Sequence, residues 1–203
     1  MLRVLNGLAS LDLLASGGAA RSGGAVQELL GGPQSRVEVF HLISFLLSFG
    51  TSVWGEGPPA VARATRGLLH EVLLLTGHFA RLNAANQDVL QWGRSPTILQ
   101  RLARVPFAYF SDPSLKPILF GTLVAATFAN DRSRALLSSE MSLDLLREYV
   151  RGERERHAEA AKAAEGGGAR DGGRVGGGGG RFALRARFPV ALWPEAEDYY
   201  AEG

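Results

Sequence analysis

The sequence predicts an all-α fold of stacked helical repeats with a C-terminal capping helix. Three observations carry that prediction. Apolar residues recur at helical spacing through most of residues 1–150,. Helix start and stop signals punctuate them: Ser35, Gly93, Ser95-Pro96, Ser111-Asp112-Pro113 and Ser142,. No useful stretch alternates apolar and polar residues as a half-buried strand does.

The composition fits such a fold. The chain has 203 residues, 46% of them hydrophobic, enough for a real core,. A formal charge of +2 is too mild to require nucleic acid as a partner,. Basic character is nearly all arginine, because lysine occurs only at Lys116 and Lys162. With no cysteine, disulfide frameworks and cysteine-based zinc sites are excluded,. Met1 to Ala15 is apolar with Arg3, but it shows no compelling A-x-A cleavage pattern. Its leucines at 2, 5, 8, 11 and 13 fit a packed helix equally well,. A membrane span needs about 20 apolar residues. Ile118 to Ala129 is too short, and Glu38 and His41 interrupt Val37 to Val53, so both read as core helices.

The elements follow in order. Ser35 and Glu38 have the form of a capping box, and Val37, Phe40, Ile43 and Leu47 form an apolar stripe behind it,. After a turn at Gly55 to Pro59, a helix should run from about Ala60 to Phe79, with Leu68, Leu69, Val72, Leu73 and Leu75 inside. Asn83 to Asn86 makes a corner. A short helix, Gln87 to Trp92, closes on Gly93, whose missing Cβ suits a left-handed stop,. Ser95 then caps a helix with Pro96 at its first position, Ile98, Leu99 and Leu102 buried, and Pro106 as its stop,. Ser111-Asp112-Pro113 starts the next, with Leu115, Ile118, Leu119, Leu123 and Phe128 in the core. A short helix near Arg134 to Ser138 leads to Ser142, a cap for a helix carrying Leu143, Leu145, Leu146, Tyr149 and Val150.

These elements repeat. Val89 to Leu99 aligns with Leu136 to Leu146 at an offset of 47, and His78-Phe79-Ala80 with Thr127-Phe128-Ala129 at 49, which implies a corner two residues shorter in the later copy. Armadillo and HEAT repeats have periods of about 40–47 residues. A weaker copy begins at Met1, with Ala25 to Leu30 as its short helix. An armadillo/HEAT-like solenoid therefore occupies residues 1–152, its first repeat truncated. A solenoid end without its neighbour exposes an apolar face, so the chain is expected to be the C-terminal piece of a longer protein. Residues 153–181 form a charged helix tail and a glycine-rich linker, dominated by glycine from Gly166 to Gly180,. Residues 182–203 regain aromatics, Phe188, Trp193, Tyr199 and Tyr200, and form the capping helix.

Catalytic chemistry finds little support. His70 and His78 are eight apart, a rotation of about 80° on a helix, so they do not share a face. No H-E-x-x-H, G-x-S-x-G or Walker A pattern occurs, and Gly176 to Gly180 lacks the Lys and Ser/Thr that phosphate binding needs,. Glu195, Glu197 and Asp198 read as a solvated helix face. No cofactor, metal or enzymatic role is expected. The candidate surface is Arg94, Arg101 and Arg104, which could contact RNA phosphates, the ribosome or a protein partner; the alternative is a solvated face opposite Ile98, Leu99 and Leu102,. Arg66-Gly-Leu-Leu69 and Arg134-Ala-Leu-Leu137 match the R-x-L-Φ form that docks on cyclins, but their leucines coincide with expected core positions.

Several blocks together resemble one family. They are Leu68-Leu-His-Glu-Val72, Asn86-Gln87, Gly93 to Leu102, Pro106 to Pro113 with its Tyr109-Phe-Ser-Asp-Pro113 core, and Arg187-Phe188-Pro189 with Trp193, Glu195 and Ala196. The chain is similar in these to the C-terminal region of the S phase cyclin A-associated proteins of the endoplasmic reticulum. Gly17 to Gly24 and the glycine linker look like insertions. The resemblance implies a large cytoplasmic protein peripheral to the endoplasmic reticulum, associated with cyclin A. It also implies an adaptor in tubulin autoregulation. A tetratricopeptide-repeat tubulin-sensing factor recruits it to ribosomes, and it brings the deadenylase complex that starts mRNA decay. The family's zinc-finger, coiled-coil and membrane-associating regions are not in this sequence. Where peptide-binding armadillo proteins place a gripping Asn on the third helix, this sequence has Gly77, so surface-to-surface binding is favoured over a ladder grip. The expected function is a non-enzymatic protein-interaction scaffold. The alternatives are a cell-cycle cyclin-binding adaptor and an RNA- or ribosome-binding module.

Overall fold

The computed structural model describes residues 1–15, 24–166 and 180–201, with the side chains of 10–15 and 164–166 left aside. Most of Gly17 to Gly24 and of the glycine linker therefore lies outside the described residues, as do the side chains of Leu11 and Leu13. Among the described residues the fold is all-helical, without strands. In chain order the helices are α1 (Leu2–Ala15), α2 (Ala25–Leu30), α3 (Pro33–Ser52), α4 (Pro59–Ala80), α5 (Ala84–Val89) and α6 (Ile98–Leu102). Then come α7 (Ala108–Ser111), α8 (Lys116–Thr127), α9 (Asp131–Ser138), α10 (Asp144–Gly166) and, after two 3-10 turns at Leu184–Ala186 and Val190–Leu192, α11 (Trp193–Tyr199). No helix among the described residues is long and apolar enough to cross a membrane.

Helices α1, α4, α8 and α10 lie in a row, each against the next, while α3, α6 and α9 pack in sequence along a second line. The centre of the row is buried on every side. In α4 every residue from Glu71 to Ala80 is buried, and in α8 every residue from Ile118 to Thr127. Such helices show no polar face because none meets water. Close approach is made by small residues. Gly50 of α3 sits against Leu69, and the Thr122 hydroxyl of α8 donates to the Leu73 carbonyl of α4 at 2.8 Å.

The repeat is visible in the corners. Leu82 and Ala129 both have positive φ, at 51° and 57°. The next residues, Asn83 and Asn130, are both N-caps whose side chains accept from the backbone three residues on, at Asn86 and Ser133. The offset is 47 throughout, so Phe128 is the partner of Arg81 and not of Phe79. The expected shortening by two residues does not occur; the cap geometry fixes the register more firmly than the His78-Phe79 identity did. Glutamines from the short helices join the units. Gln27 of α2 donates to the Phe79 carbonyl at 2.9 Å and to that of Arg81; Gln87 of α5 donates to the Ala125 and Phe128 carbonyls at 3.1 and 3.0 Å. Each short helix thus satisfies the open C-terminal carbonyls of a long one.

Several boundaries differ from the sequence expectation. Helix α3 starts at Pro33, with Gly32 as cap and no side-chain cap bond, so Ser35 and Glu38 form no capping box; proline at the first position pre-empts it,. Its buried stripe is Val39, Ile43, Leu47 and Gly50, which leaves Val37 exposed. The α6 cap is Thr97, not Ser95: Thr97 accepts from Gln100 N–H, and the Gln100 side chain accepts in return from Thr97 N–H. Ser95 instead donates to Gln100 Oε1 at 3.1 Å. The short helix runs from Ala84 to Val89 because Asn83 starts it three residues early. Leu145 is exposed while Leu146 is fully buried.

The C-terminal segment does more than cap an end. Arg181 pairs with Glu71 of α4, Leu184 and Phe188 are fully buried, Glu197 pairs with Arg151 and Arg154 of α10, and the Tyr199 carbonyl accepts from Arg134 of α9 at 2.8 Å. It therefore crosses the row from one side to the other. Loss of the Asn83 or Asn130 cap leaves helix N–H groups unpaired, and each Asn→Ala variant is expected to lose about 1 kcal/mol in urea unfolding; a loss at only one corner would show that the corners are not equivalent.

Candidate interaction surface

The three arginines marked by the sequence do not form one basic patch. Arg94 is exposed in the turn between α5 and α6. Arg101 turns toward α3, donating to the Pro96 carbonyl at 2.9 Å and to the Ser48 hydroxyl. Arg104 turns the other way and grips Glu140 with two bonds of 2.9 and 3.0 Å, which hold that carboxyl below the usual range. Arg101 and Arg104 thus tie α6 to its neighbours on two sides.

Beside Arg101 lies a feature that the sequence reading missed. On α3, Phe45 and Phe49 are 67% and 45% exposed and stack at 6.4 Å, while Val37, 43% exposed, lies eight residues earlier and is turned about 80° from Phe45,. Trp92, 42% exposed, packs against Phe40 of the same helix at 5.9 Å, next in sequence to Gly93 and Arg94. The signal was present: Phe45 and Phe49 are four apart, off the buried stripe. An exposed aromatic pair of this kind has the composition of a protein-interface core.

The space between α4 and α8 is filled from within. Arg187 reaches between α4 and α8 and donates to the carbonyls of Pro117 and Ile118, both at 2.9 Å, and to the Thr122 hydroxyl. It is 1% exposed. Gly77 and Gly121 form its seat: a methyl group would stand 2.9 Å from Nη2 at the first and 2.8 Å from Nη1 at the second. Gly77, expected only to remove a peptide grip, makes room for a guanidinium. Burial lowers the Arg187 pKa to about 10, so it stays charged at neutral pH. At its side, His78 is pushed down to about 3, by burial first and then by the charges of Arg187 and Arg81.

The other predicted features also have definite places. Leu69 and Leu137 of the two R-x-L-Φ matches are fully buried, and Arg134 stacks on the Tyr199 ring at 4.5 Å, so in this fold neither motif can enter a cyclin groove. Among the described residues no three His, Asp or Glu side chains gather as a metal site.

Comparison with known proteins adds one strong likeness. Over 98% of its length the chain is similar to S phase cyclin A-associated protein in the endoplasmic reticulum, from Homo sapiens. The two are 32% identical over 199 residues. The chain spans 12% of that protein's length, which is consistent with the expected C-terminal region. No family model matches the chain. That relative is by name a cyclin A-associated protein of the endoplasmic reticulum.

The buried His78 has a consequence for pH. Its folded pKa lies below the ordinary 6.5, so the unfolded chain binds the extra proton, and stability falls as pH drops from about 6.5 toward 3,. Between pH 7.5 and 5.0 the loss from this group is about 2 kcal/mol. Urea titrations at both values should show that loss reduced by this amount in His78→Gln; an equal loss in both proteins would contradict the assignment.

Proposed function

We propose that this chain is a non-enzymatic protein-interaction scaffold, an armadillo/HEAT-like solenoid segment that binds partners through the α3 ridge. The observation that carries the reading is the exposed stack of Phe45 and Phe49 on α3, with Arg101 bound at the neighbouring Ser48. Buried aromatic anchors with arginine supply most of the energy at protein interfaces. The common corner geometry of two units, offset by 47 residues, supports the repeat reading. The filled groove supports docking by surface rather than by capture of an extended peptide.

The partners follow from the relative. Its name speaks of cyclin A and the endoplasmic reticulum, and we carry both over to this chain as its setting: a cytoplasmic adaptor peripheral to that membrane. The finer reading, a link between tubulin-translating ribosomes and the deadenylase complex through a tetratricopeptide-repeat factor, rests on the family resemblance. Because the second leucine of each R-x-L-Φ match, Leu69 and Leu137, is fully buried and the first, Leu68 and Leu136, half-buried, cyclin A association would run through a folded surface or through the rest of a longer protein. RNA or ribosome binding by Arg94, Arg101 and Arg104 is a weaker reading, since two of the three are engaged within the fold.

Affinity purification from cells with this chain and with its Phe45→Glu/Phe49→Glu variant tests the proposal. The scaffold reading expects protein partners whose recovery survives moderate salt and falls at least tenfold in the variant. Deadenylase subunits with ribosomes would support the finer role, and cyclin A alone the cell-cycle role. Recovery unchanged by the variant, or of nucleic acid alone that is lost steeply with salt, would overturn it.

A further inference from the structure

Beside the C-terminal segment a cleft of about 460 Å³ opens between the start of α8, the middle of α10 and residues 183–193. Its walls are apolar, led by Trp193 and Tyr149. Its rim is basic. Lys116 and Arg185 have no ion-pair partner among the described residues, and Arg156 is paired with Glu153. Two features beneath the wall add to this. Tyr149 is 8% exposed and its hydroxyl has no hydrogen-bond partner. Arg187, whose charge bears on that hydroxyl, is held by carbonyls and a threonine with no carboxylate among them, and its Nε is unpaired.

We propose that this cleft binds a phosphate monoester carried on an aromatic or apolar body. The volume lies within the range of small-ligand sites, about 300–1,000 Å³. A phosphate monoester carries about −1.5 to −2 charge at neutral pH, which matches two unpaired cations at the rim, with the buried guanidinium behind; a carboxylate would answer only one. The apolar walls account for the body of the ligand, which inorganic phosphate lacks. The group can come from a phosphorylated side chain of a protein or from a free organic phosphate. The inference stands apart from the scaffold reading, since it uses none of the α3 ridge.

Calorimetric titration of the whole chain with phenyl phosphate, with a short phosphotyrosine peptide and with neutral p-cresol tests it. Saturable binding of the phosphates and none of p-cresol is expected. Lys116→Glu/Arg185→Glu should weaken binding at least tenfold with an unchanged circular dichroism spectrum. If that pair disturbs the fold, Lys116→Gln/Arg185→Gln serves, with the same direction of effect. A peptide bound more tightly than phenyl phosphate would assign the source to a protein side chain, and equal affinity to a free organic phosphate. No saturable binding of either phosphate, equal binding of p-cresol, or binding unchanged in the charge variants would overturn the proposal.

Discussion

The structure depends on one guanidinium seated between two helices. Arg187 lies between α4 and α8, over Gly77 and Gly121, and three oxygens of α8 receive its N–H groups. A buried cation costs several kcal/mol in desolvation, which hydrogen bonds to fixed oxygens must offset. Its net contribution to stability is therefore small. Four large side chains of the same segment, Leu184, Phe188, Trp193 and Tyr200, are buried almost completely, each worth about 1.5–3 kcal/mol,. Apolar burial holds the C-terminal segment down; the guanidinium sets where along the row it lies, because only a pair of glycines leaves room for it.

That placement decides what the rest of the surface can do. With the segment lying across α4 and α8, the space between those helices is filled and the Tyr149–Trp193 cleft is formed between the segment and α10. The same crossing takes Arg134 and Arg181 into internal contacts, at Tyr199 and Glu71. The Glu71 carboxyl shows the balance: burial raises its pKa, but bonds from Arg181 and Asn6, with the charges of Arg181 and Arg3, bring it below the usual range. Phe45 and Phe49 of α3 stay outward, apolar and stacked on each other.

Much of this was legible in the sequence, and the limits have physical causes. Most helices, the 47-residue offset of the segments after the corners and the burial of Leu69, Leu99, Leu119 and Leu146 follow from periodicity and cap residues; the equal corners capped by Asn83 and Asn130 and the short α7 do not. Caps with several candidates were misassigned: Thr97 displaced Ser95 because the reciprocal bond with Gln100 satisfies two donors, and Pro33 displaced Ser35. The α3 ridge was hidden because a helix apolar on more than one face gives no single stripe to read. The partners that tie Arg101, Arg104 and Arg187 to other helices were not legible, since Ser48, Glu140 and Thr122 each lie at least 36 residues away along the chain. Gly77 was noticed for the side chain it lacked, while the reason for that lack sits 110 positions later.

The most direct test of the seat is a stability cycle on Gly121 and Arg187. Glycine inside a helix costs about 1 kcal/mol relative to alanine, so Gly121→Ala alone would ordinarily stabilise. Here the added methyl meets the guanidinium at 2.8 Å. Urea unfolding should show Gly121→Ala to be destabilising in the parent chain and stabilising in the Arg187→Ala background. A gain of about 1 kcal/mol in both backgrounds would contradict the account.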